Sequence, residues 1–171
     1  MNRRKASFSP ATSPDARVLI LGSLPGERSL AQRQYYAHPQ NRFWHLVGKA
    51  ISVDLVAMDY DTRLAALRAH GIGLWDVVAS AHRTGSLDAS IREARPNALG
   101  KLVSELPQLR AVCFNGKTSE KIGRPHLADT QVEQISLPSS SPAFAAMPLA
   151  EKERSWMGLR EFLETPGDKA H

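Results

Sequence analysis

The chain has 171 residues, a formal net charge of +5 and a sequence pI near 9.7. Its length is that of one domain, and its 42% hydrophobic and 23% charged residues are ordinary for a globular protein. The positive charge favours an acidic partner, nucleic acid above all. The single cysteine, Cys113, excludes an intramolecular disulfide framework and a cysteine-rich metal centre. No apolar run reaches the ~20 residues of a membrane span and no secretory signal is recognisable, so we expect a cytoplasmic protein.

Strands and helices alternate along the chain. Residues 1–16 are polar and proline-rich, and we expect them to form a flexible lead-in. A single domain follows over residues 17–164, and residues 165–171 form a tail. Short apolar runs predict four strands, and apolar residues at helical spacing predict five helices. The predicted strands are residues 17–21, 72–78, 110–114 and 132–137, and the predicted helices are residues 43–51, 61–69, 96–106, 116–122 and 150–163.

This alternation predicts an α/β fold, a three-layer α/β/α sandwich with a central four-stranded parallel sheet. In such sheets, ligands bind beyond the carboxyl ends of the strands. The polar segments of the chain lie at those ends, and they are residues 22–26, 76–82, 115–117 and 138–142. We therefore expect the functional site at this edge of the sheet.

The common motifs of nucleotide, metal and hydrolase chemistry are missing from the sequence. Gly116-Lys117-Thr118 resembles the end of a P-loop, but Ala111 stands where that motif needs a glycine. There is no G-x-G-x-x-G, and the six histidines show no paired ligand spacing. The serines at residues 139–141 lack the G-x-S-x-G elbow of a hydrolase, and their hydroxyl and N–H groups suit phosphate contacts instead. We expect a site without a metal or a cofactor.

Five segments occur in an order that is typical of one enzyme superfamily. They are Gly-Ser-Leu-Pro-Gly at residues 22–26, Tyr-Ala-His-Pro-Gln-Asn-Arg-Phe-Trp at 36–44, Gly-Leu-Trp-Asp-Val-Val at 73–78 followed by Gly-Ser-Leu-Asp at 85–88, Phe-Asn-Gly-Lys at 114–117 and Leu-Pro-Ser-Ser-Ser-Pro at 137–142. Over residues 17–164 the chain resembles the uracil-DNA glycosylase superfamily, and within it the hypoxanthine-DNA (deoxyinosine) glycosylases. The resemblance implies that a damaged nucleotide is flipped out of the duplex before its base is removed.

Leu24 departs from the mismatch-specific members of that superfamily, which carry an asparagine there to orient the attacking water. In the hypoxanthine subgroup the catalytic amide lies in the H-P-x-N-R-F-W segment, so the resemblance assigns catalysis to Asn41. That amide would hold the water rather than act as a base. A simpler role is also open for Asn41, as the N-cap of the helix that follows.

The expected base pocket combines the first turn with two side chains. Backbone N–H groups of the turn at residues 22–26, together with the Asn115 amide, would stabilise the departing base, and Gly22, Ser23, Leu24 and Pro25 would bind it. The resemblance places Tyr36 where relatives stack an aromatic ring on the base, although an isolated aromatic is more often part of a core. Asn115, at a strand end, would pair with the base edge, or else simply form an Asn-Gly turn.

The expected DNA contacts come from two basic residues and one loop. Lys117 and Arg83 are candidate phosphate contacts, and a solvated surface charge is the alternative for each. The serines Ser139, Ser140 and Ser141 would contact phosphates, while Ala143 and Phe144 would fill the hole left by the flipped nucleotide. The alternative role for Phe144 is to anchor its loop to the core.

These residues lead to a functional hypothesis with two alternatives. The chain would be a monofunctional DNA glycosylase of base excision repair that removes deaminated bases, hypoxanthine first, by water attack at the N-glycosidic bond. No lysine stands in a motif, so a Schiff-base lyase is not expected. The alternatives are a uracil, xanthine or mismatch-specific uracil/thymine glycosylase, and a nucleic-acid-binding module without catalysis. We expect a monomer whose partner is DNA containing deaminated bases, with no membrane association.

Overall fold

The computed structural model describes residues 4–164. The strands are β1 (Lys5–Ala6), β2 (Val18–Gly22), β3 (Ile72–Asp76), β4 (Val78–His82), β5 (Arg92–Pro96), β6 (Ala111–Asn115) and β7 (Glu133–Leu137). The α-helices are α1 (Glu27–Gln32), α2 (Phe43–Ile51), α3 (Tyr60–Ala69), α4 (Leu99–Ser104), α5 (Lys117–Gly123), α6 (Leu149–Trp156) and α7 (Arg160–Leu163). Short 3-10 helices occur at Leu55–Ala57, Asp88–Ser90, Arg124–Leu127 and Met157–Leu159.

A four-stranded parallel sheet forms the centre of the domain, in the order β3-β2-β6-β7. Val18 pairs with Ile72 on one side and with Ala111 on the other. The sheet contains all four predicted strands and has helices on both faces, so the predicted fold class is confirmed.

Alternate residues of each strand face two separate hydrophobic clusters, as the period of two requires. Val18 and Ile20 belong to the cluster that includes α2 and Trp156 of α6. Leu19 and Leu21 belong to the cluster that includes the buried leucines of α4. Because both faces are covered, the two central strands, β2 and β6, read as almost continuous apolar runs, which made them predictable.

A second sheet was not predicted. Strands β1, β4 and β5 form a three-stranded antiparallel sheet. The predicted strand over residues 72–78 is in fact two strands, because β3 ends at Asp76 and Val78 begins β4. All five residues of β5 are exposed, so this strand has no apolar pattern to reveal it. It also occupies the start of the helix predicted over residues 96–106, which begins only at Leu99.

The lead-in is packed where the structure describes it. Lys5 pairs with Ala81, residue Ala11 forms a bridge with Leu74, and the Trp75 indole donates to the Phe8 carbonyl at 2.9 Å. Over residues 4–16 the chain differs from the expected flexible lead-in, because backbone pairing to β4 and to β3 holds the segment. The predicted tail, residues 165–171, lies outside the described residues. In the described part of the chain, no helix is long and apolar enough to cross a membrane.

Candidate active site at the carboxyl edge of the sheet

The turn after β2 has every one of its carbonyl groups bound to the protein. The Gly22 and Ser23 carbonyls accept from the N–H groups of Val77 and Val78 at 2.8 and 3.1 Å. The Leu24 and Pro25 carbonyls accept from the guanidinium of Arg83 at 3.0 and 2.5 Å. Within the described residues, the N–H groups of Ser23 and Leu24 donate to no partner. The turn therefore presents unpaired donors, which suit a developing negative charge.

Arg83 is buried, which does not fit the phosphate contact expected of it. It is only 2% exposed, and its Nε also donates to the Gly85 carbonyl at 2.9 Å. Its remaining partner is the carboxylate of Asp88, 3.8 Å away, which in turn accepts from the Ser23 hydroxyl at 2.6 Å. A guanidinium offers five donors in a fixed fork, and here the fork ties the turn to the loop that follows β4. Arg83 therefore fixes the conformation of the turn by binding its carbonyl groups.

Leu24 is buried for a related reason. Its side chain is 5% exposed and packs in the same cluster as Leu21 and Ala81. A residue that points into this cluster cannot hold a water molecule in the pocket, whatever its polarity. Leu24 thus contributes its backbone to the site and its side chain to the core.

Asp76 lies beside the turn, and our sequence analysis gave it no role. It is 3% exposed and pairs in register with Gly22. The point that a Cβ on Gly22 would occupy is 2.6 Å from Asp76 Oδ1 and 2.9 Å from the Tyr36 hydroxyl. Only glycine fits between these two oxygens, which explains the residue type at position 22. The only available sequence signal for Asp76 was an acid at the end of an apolar strand.

The second oxygen of Asp76 has no hydrogen-bond partner among the described residues. Burial, with a smaller contribution from the nearby charge of Asp88, raises the pKa of Asp76 to about 7, against the opposing effect of Arg83. A buried carboxyl oxygen without a partner is costly, so its persistence at a strand end points to a ligand group.

Tyr36 joins the site but is already stacked. Its ring lies on that of Phe43, with centroids 3.8 Å apart and planes at 13°. One face of Tyr36 is thus occupied, which leaves the opposite face for a base. Its backbone is in the left-handed region at φ 53°, which is uncommon for a large side chain and consistent with a constrained functional position. Burial raises the pKa of the Tyr36 hydroxyl, which keeps it a donor.

Asn115 uses both ends of its amide inside the protein. Its Oδ1 accepts from the Ser140 N–H and its Nδ2 donates to the Ser140 hydroxyl, both at 2.9 Å. The amide lies 3.4 Å from the Tyr36 hydroxyl as well. Asn115 thus fixes the serine loop against β6. The second lone pair of its Oδ1 remains for the contact with a base edge that the sequence predicts.

Asn41 combines a half-buried position with an observed capping bond. Its Oδ1 accepts from the Phe43 N–H at 3.0 Å, at the start of α2. A carbonyl oxygen has two lone pairs, so one remains for a water hydrogen. Its Nδ2 makes no hydrogen bond within residues 4–164. Arg42 is the N-cap residue of α2, so Asn41 binds the first residue of the helix from one position before the cap, and this bond leaves the amide capable of holding water.

The serine loop, residues 138–144, is fixed at several points. The Ser140 carbonyl accepts from the Arg42 N–H at 2.9 Å, and the Pro138 carbonyl accepts from the Trp156 indole at 2.9 Å. Ser140 is 1% exposed, so it supports the loop and does not reach a phosphate as expected. Ser139 and Ser141 are half-buried.

Three of the expected DNA-contact residues lie at the surface or near it. Ala143 is exposed at the tip of the loop and Phe144 is half-buried, with the ammonium of Lys152 5.2 Å from its ring centroid. Lys117 is exposed at the start of α5, next to the strand end that carries Asn115. Among residues 4–164, no group of three His, Cys, Asp or Glu side chains is arranged to hold a metal ion.

Comparison with known proteins places this arrangement in one class. The model of the uracil DNA glycosylase superfamily matches residues 9–160. The chain therefore belongs to the uracil DNA glycosylase superfamily, whose members hydrolyse N-glycosyl bonds, and the resemblance seen in its motifs is confirmed.

Individual relatives are similar over most of the chain. A protein of Methanosarcina barkeri named Hypoxanthine DNA glycosylase is 43% identical over 116 residues, which are 68% of this chain and 73% of that protein. A protein of the same name from Methanosarcina acetivorans is 40% identical over 139 residues, 81% of this chain and 87% of that protein. A solution NMR structure of a Methanosarcina acetivorans protein, proposed to be a uracil DNA glycosylase, superposes with a TM-score of 0.85 at 36% identity. That match covers 95% of this chain and 100% of the other.

Proposed function

We propose that this chain is a monofunctional hypoxanthine-DNA glycosylase, which flips a deaminated nucleotide out of DNA and cleaves its N-glycosidic bond with water, as the first step of base excision repair. The observation that carries the proposal is the turn at residues 22–25. Its carbonyl groups all accept hydrogen bonds within the protein, while the N–H groups of Ser23 and Leu24 are unpaired at the carboxyl edge of the sheet. The names of two relatives at 40% and 43% identity support hypoxanthine as the base.

The turn acts on the leaving base. As the bond between sugar and base breaks, negative charge collects on the base and positive charge on the sugar. Unpaired N–H groups of Ser23 and Leu24, held rigidly by Arg83, stabilise that negative charge without reorganising. Positioned donors of this kind contribute about 10²-fold to 10³-fold to a rate.

Asp76 supports the choice of a deaminated base. Deamination of adenine or cytosine converts a ring nitrogen that accepts hydrogen bonds into an N–H donor beside a new carbonyl. The unpartnered oxygen of Asp76 accepts from such an N–H and repels the lone pair of the undamaged base. This selection separates hypoxanthine from adenine and uracil from cytosine. Guanine and thymine carry the same N–H, so the shape of the rest of the pocket must reject them and must decide between purine and pyrimidine.

Asn41 is the proposed water-holding group. Its Oδ1 keeps one lone pair beyond the Phe43 bond, and the cap fixes the amide in place. Holding water in line with the sugar carbon converts a reaction with solvent into one between positioned groups. A neutral amide suits this task, because it neither repels the departing anionic base nor needs to be deprotonated.

One assay tests the proposal. The purified chain is incubated, in EDTA, with oligonucleotides that contain inosine, uracil, xanthine or a G·T mismatch, and abasic sites are then cleaved with alkali. We expect strand breaks that depend on alkali, with inosine cleaved fastest. Breaks without alkali would mean a lyase, faster release of uracil or xanthine would change the main substrate, and binding without release would leave a DNA-binding module.

A further inference from the structure

Leu87 is a large apolar side chain that the fold leaves in water. It is 60% exposed, and within residues 4–164 Val56 is the only other large hydrophobic residue that is exposed. Covering such a side chain stabilises a complex, because apolar surface is removed from water. A single exposed leucine needs no explanation by itself. The position of Leu87 and the structure of its loop, however, point to a ligand.

The loop between β4 and β5 is bound to the turn that follows β2. On one side of Leu87, the Ser86 hydroxyl accepts from the Glu27 N–H at 2.9 Å. On the other side, an oxygen of Asp88 accepts from the Ser23 hydroxyl at 2.6 Å. Because both neighbours of Leu87 contact this turn and the helix after it, Leu87 lies at the same edge of the central sheet as the unpaired N–H groups.

The backbone of Leu87 is also fixed. Its N–H donates to the Thr84 carbonyl at 3.4 Å, and its carbonyl accepts from the N–H and the hydroxyl of Ser90 at 3.0 and 2.7 Å. Two residues earlier, the Gly85 carbonyl accepts from the ammonium of Lys5 at 2.9 Å. These bonds hold the loop in the conformation that keeps Leu87 in solvent, so a ligand that covers it need not order the loop first.

The charges around Leu87 suit a ligand that is anionic and has apolar parts. Asp88 is the only acidic residue of the loop, and it is engaged by the Ser23 hydroxyl and lies 3.8 Å from the Arg83 guanidinium. The exposed side chain of Arg92, at the start of β5, donates to two backbone carbonyls of the loop. A duplex with one nucleotide flipped out has both properties, since its backbone is anionic and the bases beside the gap expose apolar faces.

We propose that Leu87 packs against the bases that become exposed in the duplex when the damaged nucleotide leaves the stack. The inference rests on the proposed function, which makes DNA the substrate. A hydrocarbon side chain has no donor or acceptor, so it stabilises the opened duplex without reading its sequence. The serine loop follows β7 and is bound to β6, whereas the loop of Leu87 is bound to the turn after β2. The two loops therefore contact the duplex at different points.

The experiment separates binding from catalysis by using an inosine that is not cleaved. A 2′-fluorine on its sugar withdraws electrons from the positive charge that develops as the bond breaks, so the complex stays intact. Dissociation constants are measured for the lesion duplex, the matching undamaged duplex and the lesion single strand. We expect Leu87→Ser to weaken binding to the lesion duplex about tenfold, which corresponds to the loss of most of one leucine's buried area. Binding to the other two DNAs should change less than about twofold, because neither presents an opened stack.

Three comparisons keep this result interpretable. Leu87→Met keeps the apolar bulk and should bind the lesion duplex as wild type does. Val56→Ser removes the other exposed hydrophobic side chain, which follows the end of α2 opposite Asn41, and should also bind as wild type does. Because Leu87 is exposed, Leu87→Ser should melt within about 2 °C of wild type. The slope of log K against log salt should stay unchanged, since no phosphate contact is lost.

The results that would overturn the inference differ from those that would refute the proposed function. If wild type binds and processes inosine DNA and Leu87→Ser binds the lesion duplex equally well, Leu87 makes no contact and the enzyme stands. Equal losses on all three DNAs would mean that Leu87 acts through the conformation of its loop and not at the opened stack. A smaller sedimenting mass for Leu87→Ser than for wild type would assign the leucine to a contact between two copies of the chain. Absence of both lesion binding and base release by wild type would instead refute the proposed function.

Discussion

The side-chain oxygen of Asn41 accepts the N–H of Phe43 at 3.0 Å, so the residue proposed to hold the water also binds the first residue of α2. This bond orients the amide without using both lone pairs of its oxygen. It also means that one substitution changes both activity and helix stability, and the two effects must be measured separately.

Asn41→Ala should reduce single-turnover release of hypoxanthine by roughly 10²-fold or more, because the attacking water loses its orientation. It should also cost ~1 kcal/mol of unfolding free energy, as expected for a lost cap. Asn41→Ser is the matched control, since serine caps a helix equally well but is too short to hold the water. Asn41→Asp should retain partial activity, because a carboxylate also holds water but repels the departing base. Full activity in the folded serine variant would place the catalytic group elsewhere.

Arg83→Met should unfold at lower urea concentration, with a loss of about 3 kcal/mol or more, since two turn carbonyls and that of Gly85 lose a buried donor. Base release should fall as the turn loses its shape, and Arg83→Lys should restore little because one ammonium cannot serve all three carbonyls. The dependence of DNA binding on salt should stay unchanged. If Arg83→Met instead lowers the slope of log K against log salt by about one and keeps normal stability, Arg83 contacts a phosphate, as expected from the sequence.

Asp76→Asn should change how stability depends on pH. Burial raises the pKa of Asp76 to about 7, against about 3.9 in an unfolded chain. Between these values the folded protein binds more protons, so its free energy of unfolding falls as pH rises from about 4 to 7. Asp76→Asn has no such group to titrate, so it should be more stable than wild type at pH 8. The difference between their free energies of unfolding should shrink towards pH 4. Urea titrations across this range measure it, and the exposed Asp129→Asn should follow wild type.

Phe144→Ala should slow base release from duplex DNA more than from a single strand, because a wedge matters only where a base stack must be held open. Phe144→Leu, which keeps apolar bulk, should retain most of the duplex activity. Rates on inosine in paired and unpaired oligonucleotides give the comparison. Equal losses on both substrates, accompanied by a lower melting temperature, would assign the half-buried ring to anchoring the loop.

The sequence determined the parallel sheet and the edge at which its polar residues meet. Strands buried on both faces must be apolar throughout, as Val18, Leu19, Ile20 and Leu21 are, so composition alone reveals them. Short motifs beside those strands sufficed to identify the superfamily. The second sheet was beyond such reasoning, because β5 is exposed and carries no periodic pattern.

Only the tertiary structure decided which polar side chains face the ligand and which are used internally. The sequence predicted Arg83 and Asn115 as ligand contacts, yet each hydrogen-bonds carbonyl or serine partners more than twenty residues away. Asp76 lay in a motif without an assigned role and Lys152 lay in none, yet burial leaves one with an unpartnered oxygen and the other with little compensation for its charge. Residue type fixes what a side chain can donate or accept, but its solvation and its partners depend on contacts between distant segments, which exist only in the folded chain.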